Sequence, residues 1–312
     1  MKPHQNYKAD GFEINPLLEK LRDYPQAEKS KNSYFKSFDG INIFYREWVP
    51  QNRINKIVVV AHGMGGNGEF FVLLADRLVE HEIMVIAPDY RNHGFSDGKK
   101  GDLKNFKLLL KDLHCFLKFI KDKYPETPIF LFGESMGGTV SINFAKEYHN
   151  SFSSLSGLIL FAPGVKIDFS KKFWVLISLF FIPLTLFRFL FPSKTIISLK
   201  SNDEEDTKNP IHQEYDKTDE LHIKKFSVRY ILQLFKYMRK TRKVAKNITI
   251  PVIIFQGEED KGISPEGVRD FFNQLSSEDK QLVWVKNGSH TLFIDPSFQD
   301  KWNILIDWLR NH

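Results

Sequence analysis

The residues of this chain best suited to chemistry are Gly133-Glu134-Ser135-Met136-Gly137, with Gly138 following. They come directly after the apolar run Pro128-Ile-Phe-Leu-Phe132 and open the helical pattern Thr139–Tyr148. A serine on such a strand–turn–helix junction needs small flanking residues because the turn is sharp, and its hydroxyl is held out at the strand's C-terminal edge. The helix N-terminus behind it offers N–H groups to a developing oxyanion. A second glycine-rich turn, Ala61-His62-Gly63-Met64-Gly65-Gly66, follows the run Lys56–Val60. Its glycines let a backbone N–H face an acyl oxygen without steric penalty. The expected oxyanion donors are therefore the backbone N–H groups of Met64 and Met136. A phosphate-cradling loop does not fit, because the turn lacks a Gly-Lys-Ser/Thr ending and is not Gly-x-Gly-x-x-Gly.

A serine hydroxyl is a poor nucleophile until a base takes its proton, and that base needs an orienting acid. On an elbow of this kind the acid and then the histidine follow the serine in chain order. The acid belongs just beyond a late strand, where Gln256-Gly257-Glu258-Glu259-Asp260-Lys261-Gly262 follows Val252–Phe255. Asp260 is preferred for its position and the turn-forming Lys261-Gly262 behind it, with Glu258 and Glu259 read as solvated. The histidine belongs after the last strand, where Gly288-Ser289-His290 follows Gln281–Val285. His62 and His93 also lie at strand ends, but they precede Ser135 and are set aside by the order. Nothing in this set requires a metal or an organic cofactor.

The elements that must hold these residues are legible as short apolar runs alternating with amphipathic ones. Strands are expected near 56–61, 83–87, 128–132, 157–161, 251–255 and 281–285, nearly continuous in apolar residues as parallel strands covered on both faces are. Helices are expected near 69–81, 103–123, 138–149, 265–275 and 297–310, and an antiparallel hairpin of 33–38 and 41–48 turns at Asp39-Gly40. The class is α/β, a mostly parallel, doubly wound sheet with an antiparallel start. From 165 to 247 the rhythm breaks: no strand signal, only helix-like apolar pieces and a polar stretch. That interval reads as a helical insertion into one domain, with 33–164 and 248–312 as its core and 1–32 as an N-terminal extension.

Of 312 residues 42% are hydrophobic and 29 are Phe, enough for one large core and for greasy surface besides. The single cysteine, Cys115, sits in an apolar helical pattern and is expected to be a buried, inert thiol. It permits no intrachain disulfide, and a reducing, cytoplasmic setting follows. The first fifteen residues contain no apolar core of a secretory signal. Phe173–Phe191 is the most apolar stretch, but Pro183 and Arg188 interrupt it, so it is read as a lid or interfacial element rather than a span. Residues 165–247 contain 17 Lys and Arg against 9 Asp and Glu, a net +8 in a chain whose total is +6. The excess is densest from Lys236 to Lys246. Beside an apolar segment it points to an anionic lipid surface, touched peripherally through the insertion, rather than to nucleic acid.

Taken together, these motifs resemble the monoacylglycerol lipase/lysophospholipase branch of the α/β-hydrolases, the group also called serine aminopeptidase S33-like. The resemblance covers roughly 33–165 and 247–310. It rests on His62-Gly63-Met64-Gly65, Ala87-Pro88-Asp89-Tyr90-Arg91-Asn92-His93-Gly94-Phe95-Ser96-Asp97-Gly98, the Ser135 elbow, Gln256-Gly257-Glu258-Glu259-Asp260 and Gly288-Ser289-His290. It implies the α/β-hydrolase fold with a lid inserted between strands six and seven, here about 165–247. It also implies hydrolysis of small glycerolipid esters, monoacylglycerol or lysophospholipid, by a Ser135–Asp260–His290 triad through an acyl-enzyme. Asp89, Arg91 and His93 are then packing elements, and Asn92 stands where the family usually has Gly. Three alternatives keep the same fold: a peptidase or amidase, which would need an anchor for a peptide amine and against which the greasy insertion argues, an acyltransferase with the same triad, and a non-catalytic lipid-binding protein. Relatives with an aspartate nucleophile, dehalogenases and epoxide hydrolases, are excluded by Ser135.

Overall fold

The computed structural model describes residues 15–22, 26–27, 30–148, 150–152, 154–167, 189–198 and 207–312. Its centre is an eight-stranded sheet made by the apolar runs. In chain order these are β1 (Lys31–Lys36), β2 (Asn42–Trp48), β3 (Lys56–Ala61), β4 (Ile83–Pro88), β5 (Ile129–Glu134), β6 (Leu155–Phe161), β9 (Val252–Gly257) and β10 (Lys280–Val285). Two short strands, β7 (Thr195–Ser198) and β8 (Lys225–Ser227), lie outside it. The sheet order is β1-β2-β4-β3-β5-β6-β9-β10. The first two strands are antiparallel to their neighbours, and every pair from β4 onward is parallel. The β1–β2 hairpin turns at Asp39-Gly40, with Gly40 at φ +85°, a left-handed conformation that glycine adopts freely.

Successive residues of a strand face opposite sides, and both sides are buried. Ile57, Val59 and Ala61 of β3 belong to one apolar layer and Val58 and Val60 to the other. Helices α1 (Pro16–Leu21), α2 (Val72–Leu78) and α8 (Trp302–Asn311) cover the second layer. Helices α3 (Lys107–Lys123), α4 (Met136–Glu147) and α7 (Pro265–Asn273) cover the first. Between β6 and β9, α5 (Pro210–Thr218) and α6 (Val228–Val244) belong to the insertion. The stretch expected as one helix over 297–310 divides into a 3₁₀ segment, Pro296–Lys301, and α8, because the Asp295 side chain caps Ser297 and opens a separate turn.

The chain leaves β3 through α2 to β4 on one side and returns through α3 to β5 on the other. Loops departing from the C-terminal ends of β3 and β5 therefore diverge, and this is where open α/β sheets bind ligands. The Met64 turn leaves β3 there and the Ser135 elbow leaves β5.

The interval 165–247 falls between the sixth and seventh strands of the main sheet, but it is not strandless as expected. β7 and β8 form an antiparallel ribbon. The β-branched Thr195-Ile-Ile alternates half-buried with exposed, a period-2 signal only four residues long. The ribbon's second strand feeds α6, whose Ser227 cap accepts from the Tyr230 N–H. Asp102 of the core accepts from Ser227 and pairs with Arg229, fastening the insertion down. Most of Phe173–Phe191 lies outside the described residues; of its end, Phe189, Leu190 and Phe191 are exposed. Among the described residues no helix is long and apolar enough to cross a membrane. Cys115 departs from expectation as well. It lies at the margin of the α3 stripe, half-buried, with its thiol pushed up by burial and by Asp112.

Candidate active site

The elbow is strained where the sequence said it must be. Ser135 has φ +52° and ψ −117°, a backbone conformation rarely paid for except where surrounding structure imposes it. Here it is imposed from three sides. The Ser135 N–H donates to Phe161 O at 3.0 Å, and Ser135 O accepts from Gly138 N at 2.9 Å and Gly164 N at 2.8 Å. The glycines are required by close approach: a Cβ on Gly133 would meet Ser141 Oγ at 2.6 Å, and one on Gly138 would meet Pro163 at 2.7 Å. Small residues around the serine thus follow from the packing of β5, β6 and α4.

His290 and Asp260 come from two loops that are bonded to each other. Glu259 N–H donates to Gly288 O at 3.0 Å and Glu258 N–H to Val285 O at 3.1 Å. Asp295 holds the histidine loop from behind, accepting from Ser289 N and Oγ. The outcome is a His290 Nδ1 to Asp260 Oδ2 contact of 3.0 Å. Asp260 also accepts from Gln256 Nε2 at 3.0 Å and from the N–H groups of Gly262 and Ile263, both at 2.8 Å. Burial alone would raise this carboxyl, but His290 and these hydrogen bonds hold it below the usual carboxylate range, so it stays ionised. An ionised acceptor on Nδ1 leaves Nε2 free of its proton and able to act as a base. The competing acids stand apart: Glu258 and Glu259 are exposed, and Glu259 pairs with Lys208 at 2.8 Å.

Ser135, His290, Met64 and Met136 line one cavity of about 300 Å³. Among the described residues, the backbone N–H groups of Met64 and Met136 make no hydrogen bond. Gly65 beside Met64 has φ +79°, and a Cβ there would press on Ile223 O at 2.8 Å. The Ile223 N–H donates to Gly65 O at 2.9 Å, so the insertion grips the loop that carries one of the expected donors.

The residues set aside are structural. His62 donates from Nδ1 to Gly63 O at 2.8 Å and accepts at Nε2 from Tyr90 N at 3.0 Å, the pattern of a neutral ring. Burial lowers its pKa to about 4. Asp89 accepts from Arg46, Gly68 N and Phe95 N. Arg91 joins Asp39 to Asp112. Asn92, in the family's glycine place, has φ +67°, which asparagine tolerates better than most side chains do.

The sequence reading missed Glu134. It lies inside the serine motif, yet only the sheet shows its side chain turned into the cavity. It is more than nine-tenths buried, its Oε1 has no hydrogen-bond partner, and burial raises its pKa to about 7. His212, Asp216, Asp219 and His222 of the insertion were missed too, because nothing in their spacing announces that they face Ser135.

The family model for serine aminopeptidase S33 matches residues 52–297. The chain is 26% identical over 254 residues to a monoglyceride lipase of Rattus norvegicus, covering 81% of each chain. It is 25% identical to phospholipase YtpA of Bacillus subtilis, covering 78% of this chain and 91% of that one. Among solved structures, a soluble variant of monoglyceride lipase from Saccharomyces cerevisiae, in complex with a substrate analogue, has the same fold. It superposes with a TM-score of 0.81 at 23% identity, covering 92% of this chain and 97% of that one.

Proposed function

The chain belongs to the serine aminopeptidase S33 family of hydrolases, and on that footing we propose that it is a serine esterase that cleaves acyl esters of small glycerolipids. The observation that carries this reading is the Asp260–His290 pair opening on the same cavity as the strained Ser135, against a wall of Ile223, Phe226, Leu234 and Met238. A carboxylate–imidazole pair supplies the base, and the apolar wall suits an acyl chain. The relatives are lipases and a phospholipase, which fits the same reading.

Ser135, deprotonated by His290, attacks the ester carbonyl while Asp260 orients the imidazole and stabilises its cation. The oxyanion is met by the Met64 and Met136 N–H groups. His290 then protonates the leaving alcohol, and water frees Ser135 from the acyl group. The test is fluorophosphonate labelling followed by a panel of acylglycerol, lysophospholipid and aminoacyl-anilide substrates. Labelling at Ser135 with ester turnover is expected. Preferred cleavage of the anilide would move the reading to a peptidase.

The insertion also fits a lipid surface. On α6, Leu232, Lys236, Arg239 and Lys243 recur at helical spacing and are all exposed, with Arg242 and Lys246 exposed beside them. Phe189, Leu190, Phe191 and Ile196 are exposed in the same insertion. Apolar residues beside basic ones are what anchors a peripheral enzyme on anionic bilayers.

A further inference from the structure

Tyr230, at the third position of α6, is fully buried. A phenylalanine would fill the same space, whereas a buried hydroxyl costs free energy unless it is partnered. The Tyr230 hydroxyl lies 3.2 Å from His93 Nε2 and 3.1 Å from Met136 Sδ. The His93 ring is neutral, because burial and the neighbouring His62 push it well below its ordinary range. Its Nδ1 faces Arg91 O at 3.1 Å, and a carbonyl only accepts, so the ring proton sits on Nδ1 and Nε2 is bare. The phenol keeps its proton, since burial pushes it up. That proton is shared between an imidazole nitrogen, the stronger acceptor, and a thioether sulfur, a weak one.

Met136 carries the second expected oxyanion donor and directly follows the strained Ser135. Its N–H lies in the plane of the Ser135–Met136 peptide. One end of that plane is fixed by the core, where Ser135 O accepts from Gly138 N and Gly164 N. The other end leads into the Met136 side chain, whose rotatable bonds fix nothing unless the tip is held. Tyr230 holds the tip. Its own place is set by its N–H, which donates to Ser227 Oγ at 3.2 Å, and by Ser227, which donates to Asp102 at 2.6 Å. The Phe226 ring lies 4.9 Å from the Tyr230 ring, and the Ile223 N–H is the group that grips Gly65 O beside Met64. Residues 223–230 of the insertion therefore reach both turns that carry an expected donor.

We propose that Tyr230 is a positioning residue for the oxyanion site: its hydroxyl ties Met136 to the His93 loop and so aims the Met136 N–H. On this view α6 is part of the catalytic frame as well as a wall of the acyl cavity. The inference rests on the esterase reading above and deepens it. Tyr230 would act through Met136 and not on the substrate, so losing its hydroxyl should misaim one donor without removing it. The effect should be smaller than the roughly 10²–10³ in kcat that follows outright removal of a donor.

The experiment uses the full chain, a monomeric octanoyl ester and two inhibitors, a decyl trifluoromethyl ketone and decyl glycerol ether. Ser135 Oγ adds to the ketone carbon, its proton passes to His290, and the carbonyl electron pair becomes an oxyanion. The ketone thus reads the oxyanion site, whereas the ether forms no bond and reads binding alone. Tyr230→Phe should lower kcat and weaken the ketone by about tenfold each, with KM and ether inhibition within about twofold of wild type. Met136→Leu keeps the N–H and most of the bulk but removes the sulfur, and should cause the same loss. The double variant should lose no more than either single one, because both break one link. Wild-type kcat and ketone inhibition in Tyr230→Phe would overturn the proposal. So would losses that add, or a KM and ether inhibition that change as much as the ketone. Should Tyr230→Phe not fold, Met136→Leu decides alone, and wild-type ketone inhibition there overturns the proposal. A wild type that binds the ketone at Ser135 yet turns over no ester would instead overturn the esterase reading, and the ketone comparison would still decide the role of Tyr230.

Discussion

Gly137 lies against the carbonyl oxygen of Ala61, so close that a Cβ at position 137 would fall within van der Waals contact of it. The contact joins α4, which starts at the nucleophile, to the end of β3, from which the Met64 loop departs. One absent methyl group therefore sets the distance between the serine and its expected oxyanion donor. Gly137→Ala should force the two apart, costing about 1–3 kcal/mol as overpacking does. It should also slow fluorophosphonate labelling of Ser135 at least tenfold. Urea melts and labelling rates measured on the same preparation check both; a variant that labels at the wild-type rate would show that this spacing does not matter.

The acid is the second test, because three carboxylates share one loop. Of the three, Asp260 is the one shown against His290, at 3.0 Å, and it is fixed there by two backbone N–H groups and Gln256. Asp260→Asn should reduce kcat by about 10³–10⁴, leaving what the oxyanion hole and binding supply. Glu258→Gln and Glu259→Gln should stay within about twofold of wild type, since both side chains are exposed and replacing them disturbs no buried group. A loss at Glu258 or Glu259 equal to that at Asp260 would reassign the acid. Ser135→Ala, by contrast, should abolish labelling outright.

Much of this site could be read before the fold was known, for a specific reason. Ser135, Asp260 and His290 stand at the ends of strands whose apolar runs are continuous, and a turn after a strand is a local signal. The six core strands were legible because parallel strands buried on both faces have no polar alternation to confuse them. The β7–β8 ribbon was not, since four and three residues carry too little pattern to separate from noise. Glu134 and the polar residues of α5 were hidden for another reason. Their role depends on which way a side chain turns and on an insertion folding back over β3, and both are long-range outcomes without a local motif. Asn92 shows the opposite case, a departure from a family pattern that the backbone explains at once by its left-handed φ.

Glu134 makes stability depend on pH in a direction that can be predicted. Its carboxyl titrates near 4.5 when exposed and at about 7 in the fold, because of burial opposed in part by His290. Below pH 4.5 both states are protonated and the group contributes no difference. As pH rises from 4.5 to 7 the unfolded chain loses a proton that the folded chain retains, so stability falls, by up to about 3 kcal/mol above pH 7. His62 works in the other direction. Its folded pKa of about 4 means that stability is lost as pH falls from 6.5 toward 4. A difference between wild type and Glu134→Gln cancels the histidine contribution and isolates Glu134. Urea melts should find the variant equal to wild type at pH 4.5 and more stable at pH 8. A difference of the same size at both pH values would mean that the charge is not its cause.

The basic face of α6 provides the last prediction. Lys240 is excluded from it, since it pairs with Glu147 and lies over the Tyr237 ring. Lys236, Arg239, Arg242, Lys243 and Lys246 are exposed and form no ion pair among the described residues. Each basic side chain held near an anionic bilayer contributes about 1 kcal/mol, an attraction that fades within a Debye length and therefore weakens with salt. The wild type should co-sediment with vesicles containing phosphatidylserine more than with phosphatidylcholine alone, and less as sodium chloride rises. Replacing Lys236, Arg239, Arg242 and Lys243 by Gln should weaken binding to anionic vesicles at least tenfold, while hydrolysis of a monomeric octanoyl ester continues at the wild-type rate. Lys240→Gln should have a smaller effect, because its charge is already neutralised by Glu147. Binding that ignores both salt and lipid charge would assign attachment to the exposed Phe189–Phe191 corner, and the absence of binding to either vesicle would leave the face as ordinary solvated surface.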